Sequence, residues 1–392
     1  MITKFVFSNF YSFAEETEVS FEIGKQPSSS LYDVELSDGR RLNKVIAVVG
    51  ANGSGKTQLL RPLAFINLFV LGSFFSIGNI AFKTHAFYEN KDTSIELFFH
   101  INGIDYKYKL SLNKNYVLHE SLHKKTSKQY SYVFIRERKE SGDYFFKQKN
   151  FGFPKKSAEI LRNNVSLISA SRAYGIISIT DVINFFTEFE FNINSYSREY
   201  YDELQLVESA KYFTKNEIIK LKMKSLLCEL DLGLSSIEFE EFEVKNENGE
   251  SQKEYMPIGF HAINESKFSL PFLEESSGTQ SAFVLLRRIL PVLENGGVAI
   301  IDEIDNDLHP HMLPKILELF KFQHTNPHNA QIIFSCHTPE ILNELKKHQV
   351  YLVEKNNLMS EAWRLDEVVG LRADDNAYAK YNAGALGAIP NI

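Results

Sequence analysis

The chain has 392 residues, 44% of them apolar, which is ample for two or three domains built on a real core. A net charge of −7 excludes long-range attraction to nucleic acid as a property of the whole molecule. Cys228 and Cys336, far apart and outside any metal-ligand spacing, indicate neither a disulfide framework nor a zinc site, and Met1-Ile2-Thr3-Lys4-Phe5 lacks the form of a signal peptide, so a cytoplasmic location is expected.

In chain order, Lys4-Phe5-Val6-Phe7 and Glu18-Val19-Ser20-Phe21-Glu22 alternate as strands do, with Asn9-Phe10-Tyr11-Ser12-Phe13 between them. Val45-Ile46-Ala47-Val48-Val49 reads as a buried strand of a parallel sheet. It leads into Gly50-Ala51-Asn52-Gly53-Ser54-Gly55-Lys56-Thr57, and Gln58-Leu59-Leu60 opens a helix. Strand, glycine-rich turn and helix form the context of a phosphate-binding loop. The glycines let successive N–H groups converge on one phosphate, and the helix N-terminus adds partial positive charge. Gly50, Asn52, Gly53, Ser54 and Gly55 would form the cradle. Lys56 is placed for the β- and γ-phosphates and Thr57 for Mg²⁺. The expected ligands are ATP and Mg²⁺.

Pro62 to Phe82 contains no charged residue and is long enough to cross a bilayer, but Asn67, Gly72, Ser73, Ser76, Gly78 and Asn79 punctuate it. A core helix behind the phosphate loop is expected there, with a kink or an early stop at Pro62. Ile95–Ile101 and Ile104–Leu112 flank Asn102-Gly103, the preferred two-residue hairpin turn. Further strands at about 116–122 and 130–137 suggest an antiparallel sheet beside the nucleotide strand. From Lys107 to Arg162 there are fourteen Lys/Arg against five Asp/Glu, with tyrosines and phenylalanines interleaved. A solvated sheet face is the first expectation there, and a nucleic-acid surface the alternative. From Asp181 to about Leu232 the pattern turns helical, and Asp181 to Glu254 reverses the charge with seventeen acids against eight bases. It reads as a compact helical insertion, a candidate partner-binding arm. A second hairpin, 237–245 with 253–262, is expected around Asn246-Glu247-Asn248-Gly249.

Val298-Ala299-Ile300-Ile301 ends in Asp302-Glu303, which puts two carboxylates at the C-terminal edge of a sheet, where ligands of α/β folds bind. Asp302 is placed to hold Mg²⁺ through its water shell and Glu303 to polarise the attacking water. Ile332-Ile333-Phe334-Ser335 is another buried strand and delivers His337, a candidate γ-phosphate partner. In His309-Pro310-His311 the proline spoils a metal-binding spacing, and a loop is expected.

Glu275-Ser276-Ser277-Gly278-Thr279-Gln280 stands directly before an apolar helix. Phosphate loop, Ser-Gly-x-Gln at a helix start, Asp-Glu about twenty residues on and a strand-ending His together resemble the ABC-type ATPase heads of SMC and RecF-like proteins. Ser276–Gln280 stands where those heads have Leu-Ser-Gly-Gly-Gln, with Ser276 for the leucine and Thr279 for the second glycine. Asn9–Phe13 is similar to their opening Asn-Phe-Arg-Ser-Phe, with Tyr11 for the arginine. The tail, Arg372–Asn376 and Tyr381–Pro390, looks like the ending of stand-alone bacterial defence ATPases of the AbiLi/RloA group, with which the ATPase of the PARIS phage-defence system belongs.

The resemblance implies an α/β fold: an ABC-type P-loop ATPase head, mostly parallel sheet plus an antiparallel β subdomain, with a compact helical insertion. The implied organisation is residues 1–176, the N-terminal part of the head; 177–235, the insertion; and 236–392, the C-terminal part. Lys56, Glu303 and His337 become catalytic. Ser277, Gly278 and Gln280 become nucleotide-binding across a homodimer or higher homo-oligomer, with Asp305 in the loop that crosses its interface. The function implied is an ATPase of a bacterial anti-phage, abortive-infection system that dimerises on ATP and controls a separate effector, a Toprim or other nuclease, since the chain stops soon after the head. The alternative is a RecF-like DNA-repair ATPase that grips DNA with residues 107–162. A transporter subunit fits poorly, because more than two hundred residues separate Thr57 from Ser276 and no membrane span is expected.

Overall fold

The computed structural model describes all residues except 26, 200, 231–232, 246–248, 265, 373 and 390–392. A six-stranded sheet lies at the centre, in the order Phe189–Phe191, Val298–Ile301, Gln331–Ser335, Val45–Val49, Val350–Asn356, Met359–Arg364. The first five strands run parallel and the last is antiparallel. Val45–Val49 and Val298–Ile301 are buried along their whole length, as a parallel sheet covered on both faces requires. Because side chains alternate, the two faces feed different cores. Ile46, Val48, Val298, Ile300 and Ile333 join one, Val45, Val49, Ala299, Ile301 and Phe334 the other.

The first core is closed by the helix Lys56–Gly72 and by a seven-stranded antiparallel sheet that includes Ile2–Ser8, Thr93–Ile101, Ile104–Leu112, Val117–Lys125 and Tyr130–Arg138. The Asn102-Gly103 hairpin forms in the expected register, Ile101 opposite Ile104, with both turn residues at positive φ. The helix runs through Pro62 without the early stop expected there and ends at Gly72, well short of Phe82. Leu59, Leu60, Leu63, Ala64, Ile66 and Val70 are buried around the proline, and that packing outweighs the one backbone donor it removes. Among the described residues no helix is long and apolar enough to cross a membrane.

The second core is closed by the helix Ser277–Asn295, by Glu203–Lys215 and Glu217–Glu229 packed beside it, and by Met312–Glu318. The helical block therefore exists, but a strand lies within its expected bounds. Phe189–Phe191 pairs in parallel with Val298–Ile300 and forms an edge of the central sheet. Three residues show too little alternation to be recognised in a sequence. What admits them is Gly297, where a Cβ would lie 1.7 Å from the Glu188 carbonyl oxygen. The second hairpin pairs Ser236–Lys245 with Ser251–Ile263 and gains a third strand, Ser266–Pro271; the expected turn at 246–248 lies outside the described residues. His309 and His311 sit in the turns before a helix, and no metal-holding cluster occurs among the described residues.

Candidate functional site

Three parallel strands end side by side and carry the phosphate loop, Asp302-Glu303 and His337. Each loop glycine has its own reason. Gly50 packs so closely under the neighbouring strand that a Cβ would lie 2.2 Å from the Val353 carbonyl oxygen. Gly53 and Gly55 have φ of +74° and +116°, which L side chains rarely adopt. At Gly55 a Cβ would also lie 2.4 Å from Ser360 Oγ. Ser360 braces the loop: its hydroxyl donates to the Ser54 carbonyl at 2.6 Å and accepts from the Ser12 hydroxyl at 2.8 Å. The opening Asn9–Phe13 segment thus lies under the phosphate loop. From the tail, the Ala388 carbonyl accepts the Ala51 N–H at 3.0 Å.

Lys56 is buried and donates to the Gly50 and Ala51 carbonyls at 2.9 and 3.2 Å. Burial lowers its pKa, and Asp302, Cys336 and Asp305 oppose that shift. Thr57 Oγ1 donates to Asp302 Oδ2 at 2.9 Å, across 245 residues of sequence. Ser335 Oγ donates to Asp302 Oδ1 at 2.6 Å and accepts the Glu303 N–H at 2.7 Å. Asn52 and Gly53 are exposed at the loop tip, while Ser54 Oγ is buried and lacks a hydrogen-bond partner. Curled glycines, a buried lysine, an orphaned hydroxyl and a Thr–Asp pair fit a triphosphate with Mg²⁺.

Glu303 itself sits at φ +48°, a conformation disfavoured for a side chain of this kind. One carboxylate oxygen pairs with Arg198 and the other lies 3.3 Å from His337 Nε2. Burial lowers the His337 pKa, with Lys56 acting in the same direction. Asp305 Oδ2 accepts the N–H groups of His337 and Thr338 at 2.9 and 2.8 Å and the Thr338 hydroxyl at 2.6 Å. One of its carboxylate oxygens is thus engaged by the His337 loop of its own chain, where two loop amides need an acceptor, while Asp305 Oδ1 is buried without a hydrogen-bond partner.

Ser276 caps the helix Ser277–Asn295 by accepting the Thr279 N–H, and Ser277 is exposed at its first turn. Gly278 is needed for close approach, since a Cβ would lie 3.0 Å from the Asp307 carbonyl oxygen. The buried amide of Gln280 donates to the Leu273 and Glu275 carbonyls, holding the turn before the helix.

Residues 45–343 match the family described as "AAA domain, putative AbiEii toxin, Type IV TA system". The chain belongs to this family. As one of its AAA domains it is a P-loop ATPase by descent. Similar solved structures include the Smc head bound to the C-winged helix domain of ScpA, 12% identical over 94% of this chain and 99% of that one, TM-score 0.48. Others are an Smc head with an extended coiled coil bound to the C-terminal domain of ScpA from Pyrococcus furiosus, 12% identical over 93% and 97%, TM-score 0.44, and an Smc head with a coiled coil and joint from Pyrococcus yayanosii, 11% identical over 97% and 99%, TM-score 0.46. No curated protein matches the chain.

In this AAA domain the fold brings to the site two residues that no sequence signal marks. Asn192 follows the three-residue edge strand. Its side chain accepts the Asp302 N–H at 2.7 Å and donates to the Asp302 carbonyl at 2.9 Å. Arg198 reaches Glu303 from the same segment. Neither belongs to a motif, and each matters only because a short strand ends beside Val298–Ile301.

Proposed function

We propose that the chain binds ATP with Mg²⁺ and hydrolyses it at a composite site shared between two copies. The observation that carries this is the 2.9 Å Thr57–Asp302 bond, which joins the phosphate-loop helix to the acidic strand end. Gly50, Asn52, Gly53, Ser54 and Gly55 would cradle the phosphates, with Lys56 on the β- and γ-phosphates. Thr57 and Asp302 would hold Mg²⁺, which offsets phosphate charge when bound. Glu303 would take the proton of the attacking water, with His337 beside it. Exposed Ser277 and half-buried Gly278 would close the partner's site, lined also by Gln280 and Asp305, which brace the loops of their own chain.

At the level of the organism, the proposal is an AbiLi/RloA-like defence ATPase, cytoplasmic, that controls a separate effector such as a nuclease. The family's own description names a toxin–antitoxin system, which supports that direction. The helices Glu203–Lys215 and Glu217–Glu229 are the proposed partner-facing arm between the two parts of the head. A RecF-like grip on DNA through residues 107–162 is less well supported, since many of those cations are already engaged. Lys107 and Lys109 pair with Glu96, Lys125 with Asp105, and buried Arg136 donates to the Leu161, Arg162 and Val165 carbonyls.

Mixing variants tests the composite site. Donors aimed at developing charge are worth ~10²–10³ in rate, so either lesion silences a site. A two-fold dimer holds two such sites. A Lys56→Ala chain paired with a Ser277→Arg chain concentrates both lesions in one site and should keep roughly half of the activity. Both lesions on one chain, paired with wild type, damage each site once and should abolish activity. Equal activity of the two mixtures would refute sharing.

A further inference from the structure

Residues 190–199 connect the long helix Ser277–Asn295 to Glu303. After the edge strand the chain folds back on itself: Asn194 N–H donates to the Ser197 carbonyl at 2.9 Å and Glu199 N–H to the Asn192 carbonyl at 2.7 Å. Asn194 Oδ1 takes the N–H groups of Tyr196 and Ser197 at 2.9 and 2.8 Å, so the segment is a self-braced loop. Its inner side holds the acidic strand end, through Asn192 on Asp302 and Arg198 on Glu303. Its outer side is held by the helix. Arg287 pairs with Glu190 at 2.9 Å, and Arg288 pairs with Glu199 at 2.6 Å and donates to the Phe191 carbonyl.

One carboxylate oxygen of Glu303 is consequently held by Arg198, and the other lies 3.3 Å from His337 Nε2. A general base needs an open oxygen within hydrogen-bond reach of the water it deprotonates. A cavity of about 70 Å³ lined by Arg198, Glu199, Gln205, Arg288 and Glu303 lies where the loop, the helix and the acidic strand end meet, directly beside the Arg198 side chain.

We propose that Arg198 restrains Glu303, and that the helix Ser277–Asn295 controls the restraint through Arg287 and Arg288. Engagement of Ser277 by the partner's nucleotide would shift the helix, draw the loop with it and free the base. The inference rests on Glu303 being the base. Arg198 is then a positioning residue, acting through Glu303 and not on the phosphates.

Steady-state ATP turnover of the full chain tests this. Arg198→Ala should raise kcat about tenfold, the factor expected when a charge-assisted pair stops holding the closed state, with KM changed less than about twofold. Arg198→Lys should fall between, because lysine keeps the charge without the planar fork. Arg288→Ala should also raise kcat, and its gain should not add to that of Arg198→Ala, since both release one restraint. Glu303→Gln and the double variant Arg198→Ala/Glu303→Gln should both be inactive. With ATP binding and melting temperature preserved, an unchanged or reduced kcat in Arg198→Ala would overturn the restraint and leave Glu303 as the base. If the alanine variant does not fold, Arg198→Lys without a gain overturns it equally. Turnover retained by Glu303→Gln would overturn the base assignment itself, and the restraint with it.

Discussion

Gly50 and Gly53 belong to one loop motif, yet the structure separates them sharply. An alanine methyl at Gly50 would sit 2.2 Å from the Val353 carbonyl oxygen and 2.9 Å from Ser54 Oγ. The carbonyl belongs to a strand paired on both sides, with Val45–Val49 and with Met359–Arg364, so the loop must give way and not the strand. Overpacking of that kind costs about 3 kcal/mol, which at 1.4 kcal/mol per decade is roughly a hundredfold in ATP affinity. At Gly53 no atom lies within 4 Å of the added methyl, and only the φ of +74° opposes it. That strain is worth about 1–2 kcal/mol, a five- to thirtyfold loss. Titration of Gly50→Ala and Gly53→Ala with a fluorescent ATP analogue, with melting curves alongside, measures both. A Gly53→Ala defect larger than that of Gly50→Ala, or near-normal binding by Gly50→Ala, would refute the account of the loop.

Two further outcomes are expected. Asp305→Ala should lower kcat about tenfold or more while ATP affinity changes little, because it frees the His337 loop and leaves the phosphate cradle intact; an equal loss of binding would place Asp305 on the nucleotide instead. His348 is buried and its pKa falls to about 4, chiefly through burial, with Asp366 opposing. A histidine kept neutral in the fold but protonated when unfolded stabilises fully above about pH 6.5 and progressively less down to about 4, so about 2 kcal/mol should already be gone at pH 5. His348→Gln should remove that part of the acid sensitivity of the urea midpoint, and a wild-type pH dependence in the variant would contradict the assignment.

The strand, loop and helix of the phosphate site were legible from Val45 to Leu60, because glycines at fixed spacing and a fully apolar run are local signals that few alternatives imitate. The hairpin at Asn102-Gly103 was legible for the same reason. Asp302, Glu303 and His337 could be named because apolar strands ending in polar residues place them at a sheet edge, and the fold sets those strands side by side. Tertiary packing alone carried the helix past Pro62. It also set the Gln280 amide and one Asp305 oxygen against backbone groups of their own chain, contacts that no sequence pattern shows. Asn192 and Arg198 lay beyond the reach of sequence altogether. Their role depends on a three-residue strand that exists only because Gly297 lets Glu188 approach, and a contact made across about a hundred residues leaves no periodicity or spacing to read.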